Sequence, residues 1–283
     1  MSNSADLLYQ IASLRTGWLD PIFYFLNYFD SGYFPLIMIP LVWIGISYRW
    51  GLRFAFAFTL NALINLHLKL LFDTPRPSAD YPDLAMVSAS SPGFPSGGAQ
   101  TAILVGGLLI YGWKNRWAWA IAVPYILLVS FSRLYLGVHY PIDILGGWFF
   151  GLIVLLAFIF LIKPIETFLH KQGPAFSLFL CILFSVLYIL FLPHSKGVKM
   201  IAVVLGFGIG AYLSTYLGLY STHQRPLSVR LLSAIFALLS TIAVFYLASE
   251  QLPSAVALFI EGLWVSLGAT PFSKMLVRFT LSK

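Results

Sequence analysis

Long apolar segments separated by short polar or basic connections run along most of the chain. A helix needs roughly 20 apolar residues to cross the hydrocarbon core of a bilayer, where it also satisfies its own backbone polar groups. Nine segments fit this pattern, at about 32–48, 51–72, 97–113, 117–136, 142–163, 175–193, 199–221, 231–249 and 253–272. We therefore predict an all-α, polytopic membrane bundle with about nine transmembrane helices.

Two stretches depart from this pattern. The first, 3–30, is apolar but carries charges at Asp6, Arg15, Asp20 and Asp30, which predicts one or two interfacial helices. The second, 73–96, is rich in Pro, Ser and Asp, so it is too polar for hydrocarbon and long enough to form a cap.

Composition supports a membrane protein. The 283 residues are 59% hydrophobic and 10% charged, whereas soluble proteins carry about 25% charged residues, so a water-soluble domain is excluded. The net charge of +7 fits basic cytoplasmic loops better than nucleic-acid binding. The single cysteine, Cys181, excludes disulfides and thiolate metal sites, and we predict neither a metal nor a cofactor.

The basic residues also predict the orientation. If 51–72 and 117–136 run outward, eleven of the 17 Lys and Arg residues lie on one face and six on the other, which satisfies the positive-inside rule. The loop 73–96 and the junction 137–141 then share the non-cytoplasmic face. We expect a multi-pass protein of the cell (inner) membrane, with its N-terminus outside.

Three cations lie at helix ends on this face. Lys69 closes one span, and Arg76 follows it between Pro75 and Pro77, which end the helix before the arginine. Arg133 ends another span. Charged groups at the membrane boundary are costly and therefore indicate function.

A cap motif and a histidine complete the candidate site. Ser96 is a good N-cap, and Gly97 and Gly98 leave backbone N–H groups open to an anion at the start of an apolar helix. His139 precedes the next helix and Asp143 lies in its first turn, so the carboxylate can hold the imidazole. Together these groups indicate phosphoryl transfer without a metal.

The three motifs, Lys69-x6-Arg76-Pro77, Pro95-Ser96-Gly97 and Ser132-Arg133-x5-His139-x3-Asp143, resemble the signature of the type 2 phosphatidic acid phosphatase (PAP2) superfamily. The resemblance covers roughly 18–163. It implies that His139 attacks phosphorus to form a phosphohistidine and that Asp143 orients it. It also implies metal-independent catalysis and that the phosphoryl oxygens bind to Lys69, Arg76, Ser96, Gly97, Gly98 and Arg133.

The resemblance suggests a domain organisation. Residues 1–30 would be interfacial helices, 31–165 the PAP2-like catalytic core and 175–272 an additional four-helix extension. Nine spans with an outside N-terminus resemble the topology of glucose-6-phosphatase and of sphingosine-1-phosphate phosphatases.

The second motif departs from the family pattern, which reads Pro-Ser-Gly-His and uses that histidine to protonate the leaving group. Here the position is Gly98. Loss of a general acid typically costs about 10²–10⁴ in rate. A phosphate leaving group can depart unprotonated but an alkoxide cannot, so Gly98 favours a lipid diphosphate such as an isoprenoid diphosphate. A substitute acid from 73–96, a natural low-activity homologue and a deliberate His→Gly change stay open.

We therefore expect an integral membrane phosphatase that acts on a lipid phosphate or diphosphate (phosphatidate-like or isoprenoid-diphosphate-like), with membrane lipids as its other partners. The alternatives are a sugar-phosphate phosphatase, a phosphate-binding or transport homologue that has lost turnover through Gly98, and a lipid phosphotransferase. The oligomeric state has no signal in the sequence.

Overall fold

The structure, a computed structural model, describes residues 2–219, 226–272 and 275. These residues form twelve α-helices and no strand, which confirms the all-α prediction. Short 3-10 helices cover Tyr28–Asp30 and Pro82–Leu84, and π-helical turns cover Leu41–Ile46 and Trp264–Gly268. The α-helices are α1 (Ser2–Ala12), α2 (Asp20–Asn27), α3 (Tyr33–Pro40), α4 (Tyr48–Phe72), α5 (Pro77–Asp80), α6 (Gly97–Trp113), α7 (Arg116–Tyr135), α8 (Pro141–Gln172), α9 (Pro174–Phe191), α10 (Ser195–Tyr216), α11 (Leu227–Gln251) and α12 (Ser254–Leu263).

Seven helical stretches of the described residues are long and apolar enough to cross a membrane. An eighth is added if the bent pair Asp20–Asp30 and Tyr33–Ile46, which meet at 71°, is one span. Helix α6 has 17 residues, about 26 Å, which is the lower end of the spanning range. The polytopic helical membrane fold is thus confirmed. The count of nine stays a prediction that requires both α6 and the bent pair to cross.

Two predicted segment ends differ from the structure. Helix α8 continues through Pro164 to Gln172, so the predicted break after residue 163 is wrong. A proline removes only one helical hydrogen bond, and membrane helices tolerate that loss because nearby groups compensate. In the next turn the Thr167 hydroxyl donates to the carbonyl of Lys163 at 2.9 Å. The segment predicted at 199–221 ends as a helix at Tyr216, and residues 220 and 221 lie outside the described residues.

The chain divides into two compact units. Unit 1 comprises Met1–Phe34 with Leu60–Leu161, and unit 2 comprises Pro35–Thr59 with the described residues of Ile162–Lys283. These two units are defined by contacts between residues. The predicted division at residues 30 and 165 is based on the family resemblance, and it stays a prediction.

Within unit 1, α6 and α7 pack together and α1 and α2 pack on α7. Tyr135 of α7 is fully buried and stacks on Phe23 of α2, with ring centroids 3.9 Å apart. Gly147 and Gly151 let α8 approach α6 closely: an added Cβ would come 2.6 Å from the carbonyl oxygen of Ser96 and 2.7 Å from that of Gln100. This confirms the close packing expected from small residues four apart. It holds the start of α6 against α8.

In unit 2, α10 packs on α12 and on α9, and α11 packs on α12. Gly206 faces the backbone of Phe259, so this glycine lets α10 and α12 pack closely. Arg53 of α4 and Glu166 of α8 form a bidentate ion pair with both N–O distances 2.7 Å.

Candidate active site

Backbone contacts in unit 1 bring the ends of α4, α6 and α8 together. Thr74 lies just after α4. Its backbone carbonyl accepts a hydrogen bond from the N–H of Gly93 at 2.8 Å, and its hydroxyl accepts one from the N–H of Phe94 at 2.7 Å. The backbone N–H of Ser96 donates to the carbonyl of Asp143 at 2.9 Å. Ser96 caps α6, as predicted, by accepting from the N–H of Ala99. The three sequence motifs therefore meet at one place.

His139 is 1% exposed and is held from both sides of its ring. Its Nδ1 lies 3.1 Å from Asp143 Oδ2, which also accepts from the backbone N–H of Tyr140 at 2.9 Å. Its Nε2 lies 3.2 Å from Nη1 of Arg76. A guanidinium has donors only, so the contact with Arg76 favours the tautomer in which Nε2 is unprotonated and Nδ1 donates its proton to Asp143. Both contacts are compatible with this tautomer, in which the Nε2 lone pair faces Arg76.

The electrostatics of the site keep this imidazole neutral. Burial lowers the pKa of His139 well below its ordinary value of 6.5, and the positive charges of Arg76, Lys69 and Arg133 lower it further. A neutral histidine retains the lone pair that a nucleophile needs.

Lys69 and Arg76 hold the loop 73–96 through its carbonyl groups. Lys69 is buried, and its Nζ donates to the carbonyls of Pro92 at 2.6 Å and Gly93 at 3.0 Å. Arg76 donates to Ser91 through Nε (carbonyl, 2.6 Å) and Nη2 (hydroxyl, 3.0 Å), and its Nη1 donates to the carbonyl of Val138 at 2.8 Å. Arg76 thus ties the loop to the segment that carries His139.

Arg133 has an unused donor. The residue is 2% exposed; its Nη1 forms an ion pair with Asp30 Oδ2 at 3.0 Å, and its Nε donates to the hydroxyl of Ser132 at 3.2 Å. Its Nη2 is buried and has no hydrogen-bond partner in the described part of the chain. Buried donors are nearly always paired, so an unpaired guanidinium nitrogen indicates a place for an anion.

A cavity of about 170 Å³ lies beside these residues. Among the predicted site residues, Arg76 and Arg133 line it, whereas His139, Asp143, Lys69 and Ser96–Gly98 are not among its lining residues. Its lining residues are Asn27, Asp30, Ser31, Arg76, Val87, Ser88, Ala89, Arg133 and Val138. Pockets for whole drug-sized ligands occupy about 300–1,000 Å³, so this cavity suits a phosphoryl group rather than a complete lipid.

Sequence reasoning did not assign Asp30, Ser91 or Thr74 to the site. Thr74 and Ser91 lie in the loop 73–96 and carry no sequence signal, because they act through contacts with backbone groups and with Arg76. Asp30 did carry a signal, since it is an acid in an apolar segment near the predicted outer face, where ionisable residues indicate function.

The fold and the site define a multi-pass helical membrane protein in which two arginines line a phosphate-sized cavity and a carboxylate-bound histidine contacts one of them. The chain belongs to the PAP2 superfamily, whose family model matches residues 50–165. It is 30% identical to phosphatidylglycerophosphatase B of Bacillus subtilis over 166 residues, which are 54% of this chain and 78% of that protein.

Two other relatives are matched over less of their length. An undecaprenyl-diphosphatase of Sulfolobus acidocaldarius is 36% identical over 58 residues, 20% of this chain and 28% of that protein. A putative undecaprenyl-diphosphatase of Escherichia coli is 27% identical over 127 residues, 42% of this chain and 63% of that protein.

Two crystal structures share the fold. One is the PAP2-type phosphatidylglycerolphosphate phosphatase of Bacillus subtilis, with a TM-score of 0.50 and 28% identity, which covers 58% of this chain and 86% of that one. The other is LpxE of Aquifex aeolicus, with a TM-score of 0.51 and 26% identity, which covers 56% of this chain and 96% of that one. The shared fold therefore accounts for little more than half of this chain.

Proposed function

We propose that this protein is a membrane phosphatase that hydrolyses a lipid phosphate or lipid diphosphate through a phosphohistidine at His139. The observation that carries the proposal is the double restraint on the imidazole, by Asp143 at Nδ1 and by Arg76 at Nε2. It leaves a neutral ring with its lone pair directed toward a guanidinium beside a phosphate-sized cavity.

The chemistry follows from these contacts. A phosphoryl group in the cavity would take the remaining N–H of Arg76 Nη2 and the free Nη2 of Arg133, and the start of α6 would add the backbone N–H groups of Gly97 and Gly98. The Nε2–P bond forms as the bond from phosphorus to the leaving oxygen breaks. Water then attacks phosphorus, the N–P bond breaks, and inorganic phosphate leaves. In this proposal the cations of the chain, rather than a metal, stabilise the developing charge.

The relatives support a lipid substrate. Those named above are a phosphatidylglycerophosphatase and undecaprenyl-diphosphatases, so both a lipid phosphate and a lipid diphosphate are candidate substrates. The cavity holds the reacting group only, which leaves the rest of the substrate at the membrane boundary. A sugar phosphate, the alternative from the sequence, serves as a comparison substrate.

The test is phosphate release by the purified full chain in detergent. The substrates are phosphatidylglycerophosphate, phosphatidate, undecaprenyl diphosphate and glucose 6-phosphate. We expect turnover of a lipid substrate, its loss in His139→Ala, and no loss in the control His170→Ala, because His170 is exposed. A brief reaction with ³²P-labelled lipid should trap an acid-labile, alkali-stable phosphoprotein that His139→Ala lacks. Turnover that persists in His139→Ala would refute the mechanism, and release from glucose 6-phosphate alone would refute the lipid substrate.

We also propose that the site faces the non-cytoplasmic side of the cell membrane, which the distribution of basic residues supports. Cys181, the single cysteine, is first replaced by Ala. A membrane-impermeant thiol reagent applied to intact cells should then label Ser90→Cys, in the loop beside the site, but not Lys171→Cys at the end of α8. Both positions are exposed, so the opposite labelling pattern would reverse the orientation.

A further inference from the structure

The proposed reaction needs a proton at its leaving group, and the groups described so far do not supply one. An alkoxide departs poorly, because the pKa of its conjugate acid is near that of water, about 16. Asp143 is occupied at Oδ2 by His139 and Tyr140, and it does not line the cavity. Arg76 and Arg133 remain protonated at any working pH. An acid must therefore come from another residue that reaches the cavity.

Asp30 supplies the only carboxyl group among the cavity-lining residues of the described chain. It ends the short helix Tyr28–Asp30, and its side chain is 27% exposed, so it can reach both the cavity and water. Its Oδ2 is fixed by Arg133 Nη1 at 3.0 Å. Because Arg133 also carries the unpaired Nη2, one guanidinium can hold a phosphoryl oxygen and this carboxyl group side by side.

Asp30 packs directly against the start of α6. A Cβ added at Gly98 would come 3.0 Å from Asp30 Cγ and 3.2 Å from Asp30 Cβ, and one added at Gly97 would come 3.2 Å from Asp30 Oδ1. These separations are tighter than ordinary van der Waals contact, so a side chain at position 98 would require Asp30, or Arg133 at 3.0 Å from the same Cβ, to shift by a few tenths of an ångström. Glycine at 98 leaves Asp30 and Arg133 in their observed positions.

We propose that Asp30 is the general acid that protonates the leaving oxygen, and then the general base that activates water. This rests on the proposed phosphatase function. In the first step the Nε2–P bond forms, the P–O bond breaks, and the proton of the Asp30 carboxyl group moves to the leaving oxygen. In the second step the Asp30 carboxylate takes a proton from water, the oxygen of which bonds to phosphorus as the N–P bond breaks. Asp30 ends protonated, so protons balance over one turnover.

The role requires that Asp30 carries a proton when the substrate is bound. The competing interpretation is that Asp30 remains a carboxylate and occupies Arg133 in place of phosphate. The free Nη2 argues against it, because Arg133 keeps a donor for phosphate while Nη1 stays with Asp30.

The experiment compares two phosphate monoesters with the same dodecyl chain: dodecyl phosphate, with an alkoxide leaving group, and a dodecyl-substituted nitrophenyl phosphate, whose phenolate leaves unprotonated. Asp30→Asn keeps the size of the side chain and an oxygen for Arg133, but it cannot donate a carboxyl proton. We expect kcat/KM for dodecyl phosphate, which reports the first step, to fall by about 10²–10⁴-fold. We expect kcat/KM for the nitrophenyl ester to fall by less than about tenfold. The second step is common to both esters and also uses Asp30, so kcat should fall for both.

The control is Asp83→Asn, because Asp83 is an exposed acid whose contact is with the Tyr9 hydroxyl at 3.2 Å. Equal losses of kcat/KM on the two esters would assign Asp30 a positioning role only. A lower KM with higher kcat/KM would make it a competitor of phosphate. Either result overturns the inference. So would unchanged activity on both esters. If His139→Ala is inactive while Asp30→Asn shows no dependence on the leaving group, this inference fails and the phosphatase proposal stands. If the unmodified chain releases no phosphate from any substrate, both fail.

Discussion

Replacing Asp143 by Asn tests how the imidazole is held. Asp143 Oδ2 accepts from both His139 Nδ1 and the backbone N–H of Tyr140. In Ser-His-Asp triads the equivalent change costs about 10⁴ in kcat because it selects the wrong tautomer. Here the fixed N–H of Tyr140 requires an acceptor, so the amide oxygen of Asn should stay toward it and toward Nδ1. The proton then remains on Nδ1 and the lone pair on Nε2.

The expected loss is therefore that of the charge alone. A hydrogen bond to a charged group contributes about 1.5–3 kcal/mol and a neutral one about 0.5–1.5 kcal/mol, a difference of about 1–1.5 kcal/mol. At 1.36 kcal/mol for each tenfold change, kcat should fall by about 5- to 15-fold. The measurement is steady-state phosphate release with the best lipid substrate, in protein whose melting temperature in detergent is checked.

The matched control is Asp80→Asn, which alters the contact between Asp80 and the exposed hydroxyl of the same tyrosine, Tyr140, at 3.2 Å. It should leave kcat unchanged. A loss above about 1,000-fold in Asp143→Asn would refute the reasoning, because the tautomer would then depend on the carboxylate as it does in a triad. A loss below about twofold would show that the negative charge does not stabilise the transition state.

Two further changes follow from named contacts. Burial and the nearby cations lower the pKa of His139. Because the neutral form of His139 is the nucleophile, turnover should persist below pH 6.5 and disappear as the pH falls through that lowered pKa. Arg76→Gln removes one of those cations, so the pKa of His139 should rise. The acid limb of the pH profile of kcat/KM should then lie at higher pH than in the unmodified chain with the same substrate. An unmoved limb would contradict its assignment to His139. In unit 2, Glu166→Gln should lower the free energy of unfolding by about 1–2 kcal/mol, read as a lower melting temperature, because Arg53 and Glu166 are only 14% and 23% exposed. Arg49→Gln is its control and should change little, since Arg49 is 64% exposed; equal effects would contradict the reasoning.

The helices were predictable where local signals mark their ends. Helix α6 begins and ends at the predicted residues, Gly97 and Trp113, because Ser96 caps its start and Lys114, in the left-handed region at φ 52°, ends it. Helix α8 was not predictable to the same degree. Pro164 and the charges near it resemble a loop, but the apolar residues on both sides allow one continuous helix through the proline.

The site was predictable only in the parts that local chemistry determines. His139 and Asp143 are four residues apart, and their contact follows from the start of one helix. Asp30 and Arg133 are 103 residues apart, and no local pattern pairs them. Lys69 is predicted to bind phosphate, and no sequence signal shows that its Nζ also donates to two loop carbonyls. Which donors of a buried cation stay free depends on the packing of the loop, which the sequence pattern does not encode.

The pairing of Asp30 with Gly98 changes what can be inferred about the substrate. With the histidine absent at position 98, sequence reasoning favours a diphosphate, because a phosphate leaving group needs no acid. That step assumes that nothing else donates a proton, yet a carboxyl group occupies the space that glycine leaves open. If Asp30 donates, a monoester such as a phosphatidylglycerophosphate is as accessible to this chain as a diphosphate. The ratio of kcat/KM for the two classes, before and after Asp30→Asn, therefore decides the question. A loss of kcat/KM confined to the monoester would mean that Asp30, rather than Gly98, determines which lipid phosphates this chain can hydrolyse.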